Sequence, residues 1–156
     1  MWINVYIVPF WFLAVLLLPK ARQPFAVLMC AMLAGFNALV PHLGNFSYKF
    51  FALGQPFTDA YNPGFIQSLL INVPFNFYVI YKLYQSGLVS MPQIILAQFV
   101  VGFPGHFPIA GGSALASYKQ LTTDSNLHLA NFSVVLMLLC VPFLITPTEK
   151  AAKKVK

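Results

Sequence analysis

The chain has 156 residues, of which 59% are hydrophobic and only 8% charged, and its formal net charge is +6. A typical soluble domain carries about 25% charged residues, and a 150-residue fold buries only about 70% of its chain's surface, so this composition predicts lipid as the solvent and a single domain. Its three acids, Asp59, Asp124 and Glu149, lie outside the apolar runs. That excludes most paired-carboxylate chemistry, and nine Lys/Arg scattered between the runs or gathered at the tail do not make a nucleic-acid face.

Five apolar segments follow in chain order: Ile3–Leu18, Phe25–Val40, Phe65–Tyr81, Pro92–Phe107 and Leu127–Ile145. Each is near the short end of the ~17–25 residues that span a bilayer. The first lacks a basic leader and a small-residue cleavage site, so it reads as a retained span rather than a signal peptide. Pro19 and Pro24 bracket the first turn, Pro41 and Gly44 stop the second run, and Asn62-Pro63-Gly64 opens the third. Gly87 follows the third run, Pro92 starts the fourth in a first-turn position, and Pro147 stops the fifth. Pro104, Gly105 and Pro108 interrupt the end of the fourth, which leaves four spans or five. Residues 43–64 are aromatic-rich, with Phe46, Tyr48, Phe50, Phe51, Phe57 and Tyr61, and suit an interfacial or re-entrant segment. Residues 109–126 are small and polar.

With the C-terminus cytosolic, one side holds Lys20, Arg22, Lys82, Lys150, Lys153, Lys154 and Lys156, and the other only Lys49 and Lys119. This is the positive-inside asymmetry. The expected organisation is a transmembrane domain over 1–147 and a basic cytosolic tail over 148–156. The tail ends Lys153-Lys154-Val155-Lys156, a dilysine retrieval pattern of endoplasmic-reticulum membrane proteins. Asn45-Phe46-Ser47 is a glycosylation sequon on the opposite side.

His42, His106 and His128 each fall near a segment end. A facing pair would ligate haem if both were aimed at one iron, but no acid adjoins any of them to orient the imidazole. Cys30 and Cys140 lie mid-run and form no CxxC or His/Cys cluster, so neither a disulfide framework nor a zinc site is expected. No Ser-His-Asp arrangement offers itself. The informative polar residues are those inside the runs: Asn37, Gln67, Ser68, Asn72, Asn76, Gln93, Gln98 and Asn131. Such groups face a bundle interior or a cavity. Ser68, Asn72 and Asn76 recur every four residues on one helical face, with Pro74 interrupting that helix. They serve either as polar hooks in an apolar-ligand cavity or as interhelical hydrogen-bonding groups.

Asn62-Pro63-Gly64-Phe65-Ile66-Gln67-Ser68 followed by Asn72-Val73-Pro74-Phe75 resembles part of the EXPERA-domain family, which includes emopamil-binding protein, a sterol isomerase, and the sigma-two receptor. Met91-Pro92-Gln93-Ile94-Ile95, Phe107-Pro108-Ile109, Val141-Pro142-Phe143-Leu144 and the lysine-rich tail are similar too, so the resemblance covers residues 25–156. It implies a helical membrane bundle with a sterol- or lipid-sized pocket. Ser68 stands where the family's acid is expected one turn before its Pro-Phe motif. The acid late in the family's first span has no counterpart beyond Asn37. Serine and asparagine cannot move protons to and from carbon as the isomerase reaction requires.

The reading is an all-α integral membrane protein of the endoplasmic reticulum, a bundle of four to five transmembrane helices that binds a sterol or other apolar ligand without catalysis. Asn37, Ser68, Asn72 and Asn76 are the expected hooks, and Phe75, Phe99 and Phe103 the aromatic wall. No catalytic residue, metal or cofactor is expected. Expected partners are membrane lipid or sterol, with other membrane subunits or a homodimer; nucleic acid is not among them. The alternative is a small accessory subunit of a larger membrane complex.

Overall fold

A computed structural model of the chain describes residues 2–37, 43, 46–60, 66, 68–106 and 124–153. These residues are mostly helical. Helix α1 (Trp2–Leu17) leads by a tight turn into α2 (Gln23–Met32), which runs on as a π-helical turn over Leu33–Asn37. A second π turn over Tyr48–Ala52 precedes the short α3 (Phe57–Ala60). A third, Ser68–Asn72, opens α4 (Val73–Gln85). Helices α5 (Met91–His106), α6 (Asp124–Leu144) and the short α7 (Glu149–Lys153) complete the order.

The boundaries have local causes. The residue before a proline is pushed out of helical geometry, and α1 stops at Leu17, ahead of Leu18-Pro19. The turn that follows is closed by Arg22 N–H on the Pro19 carbonyl at 2.8 Å, and α2 then starts with Pro24 in its first turn. Helix α4 ends where Gly87 takes φ +70°, a left-handed position that glycine adopts without strain. The Leu88 N–H closes that turn on the Leu83 carbonyl at 3.0 Å. Helix α5 starts on a capping box. The Ser90 N–H donates to Gln93 Oε1 at 2.9 Å, and the Gln93 N–H returns to Ser90 Oγ at 3.4 Å.

Helix α2 is the centre, packed by α1, α4, α5 and α6. Its Phe25, Leu28, Met29, Ala31 and Met32 form the core with Ile80, Ala97, Val101 and Leu138. Alanines at the contacts let the backbones approach. The same logic is sharper at Gly35, where an added Cβ would sit 2.9 Å from the Cβ of Asn76. Outside the core, Phe46, Phe50, Phe51 and Phe57 form a ring cluster with centroids 5.0–6.4 Å apart, clasping α3 to the π turn before it. Large apolar side chains also stand on the outer faces, including Phe12 and Leu17 on α1 and Phe75 and Tyr78 on α4.

The expected bundle of four to five transmembrane helices is overturned, and with it the integral location in the endoplasmic-reticulum membrane with a cytosolic tail. Among the described residues no helix is long and apolar enough to cross a membrane. The cause is interruption. At 1.5 Å per residue the 16-residue α1 and α5 reach roughly 24 Å, short of the roughly 30 Å hydrocarbon layer. Among the described residues, α2 passes at Leu33 into the π turn Leu33–Asn37, and the π turn Ser68–Asn72 precedes α4, which starts at Val73. Pro74 explains the latter: its ring collides with the carbonyl four residues back and it has no N–H to donate, so the preceding turn widens to π geometry. Helix α6 has 21 residues, but its first half carries Asp124, Asn126, His128 and Asn131.

Candidate functional site

Of the residues expected as hooks and wall, Asn72, Asn76, Phe75 and Phe99 have described side chains. Asn76 is buried on α4, and its Nδ2–H donates 2.7 Å to the backbone carbonyl of Asn72, one turn earlier. With Gly35 pressed against its Cβ, Asn76 is a packing residue at the crossing of α4 and the α2 extension. Phe75 and Phe99 face outward, 64% and 72% exposed. The side chains of Asn37, Ser68 and Phe103 lie outside the described set. His42 and the side chains of His106 and His128 also lie outside it, as do Asn45 and the final Lys154, Val155 and Lys156. Among the described residues no group of three or more His, Cys, Asp or Glu could hold a metal ion.

A cleft does form at the end of the bundle where the α1–α2 turn, the α4–α5 turn and the C-terminal segment meet. Its volume is about 310 Å³. Pro24 and Val27 of α2 line one side, and Leu83, Leu88 and Ala151 the other. Lys20 and Gln23 supply its polar edge. The Gln23 amide donates one N–H, at 3.1 Å, to the Leu18 carbonyl.

The segment after α6 builds this end. Helix termini leave their last carbonyls without partners, and Pro142 disturbs the final turn of α6 further. Arg22 covers the gap: its Nη1 donates to the Pro142 carbonyl and, at 3.1 Å, to that of Ile145. Its guanidinium lies 4.8 Å above the Phe143 ring. Gln93 Nε2 then donates 2.9 Å to the Thr146 carbonyl. Thr148 does double duty. Its hydroxyl donates 2.9 Å to the Gly87 carbonyl and accepts at 3.2 Å from the Ala151 N–H, capping α7. Ala151 is thereby set against the α4–α5 turn as one side of the cleft.

The charge at this end is one-sided. Lys20, Arg22, Lys82, Lys150 and Lys153 gather there, and Glu149 is the acid of α7, held 3.9 Å from Lys153. Lys82 reaches Gln85 Oε1 at 3.3 Å. Lys20 has no acceptor among the described residues. Lys150 lies across the α4–α5 turn, its Nζ 3.3 Å from the Cβ position of Gly87. Cys30 is not part of this chemistry, because burial pushes its thiol up to about 12 and keeps it protonated.

The cleft was not readable from spacing, because Lys20, Leu83 and Ala151 meet only through tertiary packing. The one sequence signal for it was the lysines flanking the runs, which the topology rule claimed instead.

Among the described residues, fold and cleft together define a helical bundle with a small, largely apolar opening at one end that Lys20 borders. The chain is similar to the uncharacterized protein YrkK of Bacillus subtilis (strain 168), with 32% identity over 66 residues. That match covers 42% of this chain and 36% of the relative, so the chain matches about a third of that protein's length. No protein-family model matches the chain, and no solved structure does.

Proposed function

We propose that this protein binds an apolar ligand, a sterol or a lipid-sized molecule, in the cleft at the basic end of its helical bundle. The observation that carries this reading is the cleft itself. Its roughly 310 Å³ are lined by Pro24, Val27, Leu83, Leu88 and Ala151, with Lys20 and Gln23 as the polar residues. Ligand sites are of this kind, apolar for affinity with a few polar groups for orientation. The likeness to the EXPERA-domain family supports the same ligand class. The lining brings no acid to the cleft, so the reading is one of binding rather than turnover.

Titration with a fluorescent sterol and with pyrenedecanol tests it. Saturable binding of at least one probe is expected, lost in Val27→Trp, whose indole fills the cleft, and kept in Phe75→Ala and Phe99→Ala. Non-saturable partitioning, or binding indifferent to Val27→Trp, would sink the reading.

A second reading has its own observation. Phe12 and Leu17 on α1 and Phe75 and Phe99 on α4 and α5 are more than half exposed, which gives partner helices apolar surface to pack on. In that reading the protein is an accessory subunit whose outer helices pack on partner helices. A native gel in gentle detergent separates the two, since a large co-migrating complex supports only the second.

A further inference from the structure

The cleft has a property that its apolar walls do not require: uncompensated positive charge at its edge. Of the cations gathered there, Arg22 is used by the α6 carbonyls, Lys153 by Glu149 and Lys82 by Gln85. That leaves Lys20, which lines the cleft, and Lys150, which lies over the neighbouring turn beside Leu88. An exposed ammonium facing water needs no partner. Lys20 at the opening, with Lys150 on the neighbouring turn next to the lining residue Ala151, sets a local field that favours an anion at the mouth and an alkyl chain behind it.

We propose that the ligand of this cleft is an amphiphile with an anionic headgroup, a phosphate monoester or carboxylate on a long alkyl chain. The headgroup sits at Lys20, with Lys150 adding to the field from the neighbouring turn, and the chain lies along Val27, Leu83 and Leu88. Lysine meets such a group as a point charge, suited to a headgroup that approaches from solvent at no fixed angle. Gln23 carries no charge, and one of its amide N–H groups is used by the Leu18 carbonyl. This inference rests on the apolar-ligand reading above and adds the ligand's charge.

Displacement of neutral pyrenedecanol from the full chain by decyl phosphate, decanoate, decanol and inorganic phosphate separates the two levels. Decyl phosphate is expected to displace the probe about three- to tenfold more effectively than decanol, the scale of one or two partly screened charge pairs. Lys20→Met should remove most of that preference and leave decanol unchanged, while Lys20→Arg should keep it. Raising salt should shrink the preference without touching decanol. Equal displacement by decyl phosphate and decanol would overturn the anionic headgroup and leave the apolar site standing. A preference that survives Lys20→Met together with Lys150→Met would overturn it as well. Inorganic phosphate displacing the probe as well as decyl phosphate would mean a free-anion site, and would overturn the amphiphile. Failure of pyrenedecanol itself to bind saturably would remove the reading beneath.

Discussion

The Arg22 guanidinium rests 4.8 Å above the Phe143 ring while donating to the backbone carbonyls of Pro142 and Ile145 on either side of that ring. One side chain thus reaches one open carbonyl in the last turn of α6 and another just past its end, complements the negative end of its dipole and stacks on an aromatic face. Arg22→Ala is expected to lower stability by about 2 kcal/mol, the scale of hydrogen bonds to a charged group. Arg22→Lys should recover only part of this, because an ammonium cannot fork between two carbonyls and stack at once. Thermal unfolding of the three proteins checks the order.

At Gly35 the contact is steric. A Cβ there would meet Asn76 Cβ at 2.9 Å, inside any normal contact. Gly35→Ala is expected to cost about 2 kcal/mol through a forced shift of α4 against α2. Asn76→Ala keeps the offending Cβ and should not rescue it, whereas Asn76→Gly should. A double-mutant cycle with a coupling energy near zero for the Gly35→Ala/Asn76→Gly pair would refute the contact.

Gln98 gives a prediction of opposite sign. Its Oε1 is buried with no hydrogen-bond partner among the described residues. An unmet acceptor costs about 1–3 kcal/mol, and methionine has nearly the same shape with no such demand. Gln98→Met is therefore expected to raise stability by about 1 kcal/mol, measured as an increase in the denaturant midpoint at unchanged slope.

The two cysteines should behave differently. Cys140 is exposed, while burial holds the Cys30 thiol at about 12 against an ordinary 9.0. A thiol reagent at pH 8 should modify Cys140 alone in the native protein and both residues after denaturation. Below pH 9 both folded and unfolded chains keep the Cys30 proton, and its contribution to stability is constant. From pH 9 towards 12 the unfolded chain releases that proton and the folded one does not, so stability falls with rising pH. Cys30→Ala should flatten that alkaline decline, and Cys140→Ala should leave it.

How far these features were legible depends on their range. The helical character of the apolar runs, the stop before Pro19, the start at Pro24 and the turn at Gly87 all follow from local backbone chemistry. The π turns did not, because hydropathy is blind to the extra residue each one inserts before Pro74 and around Gly35. That blindness led from long apolar runs to membrane-spanning helices. Ser68, Asn72 and Asn76 share a face by period, but nothing in the period says whether a face meets a ligand or a neighbouring glycine. Arg22 is the clearest case. A charge counter reads it as a marker of sidedness, and only the fold reveals the carbonyls waiting for it. Lys20 needed a partner element far away in sequence to become part of a cleft.

The Arg22 bond to Pro142 joins positions 120 residues apart. Closing so long a loop costs entropy that only late, cooperative packing repays. During synthesis α1 and α2 therefore emerge with the guanidinium unsatisfied, and the clasp shuts only once α6 has been made and docked. Loss of Arg22 should accordingly hasten unfolding and leave the refolding rate nearly untouched.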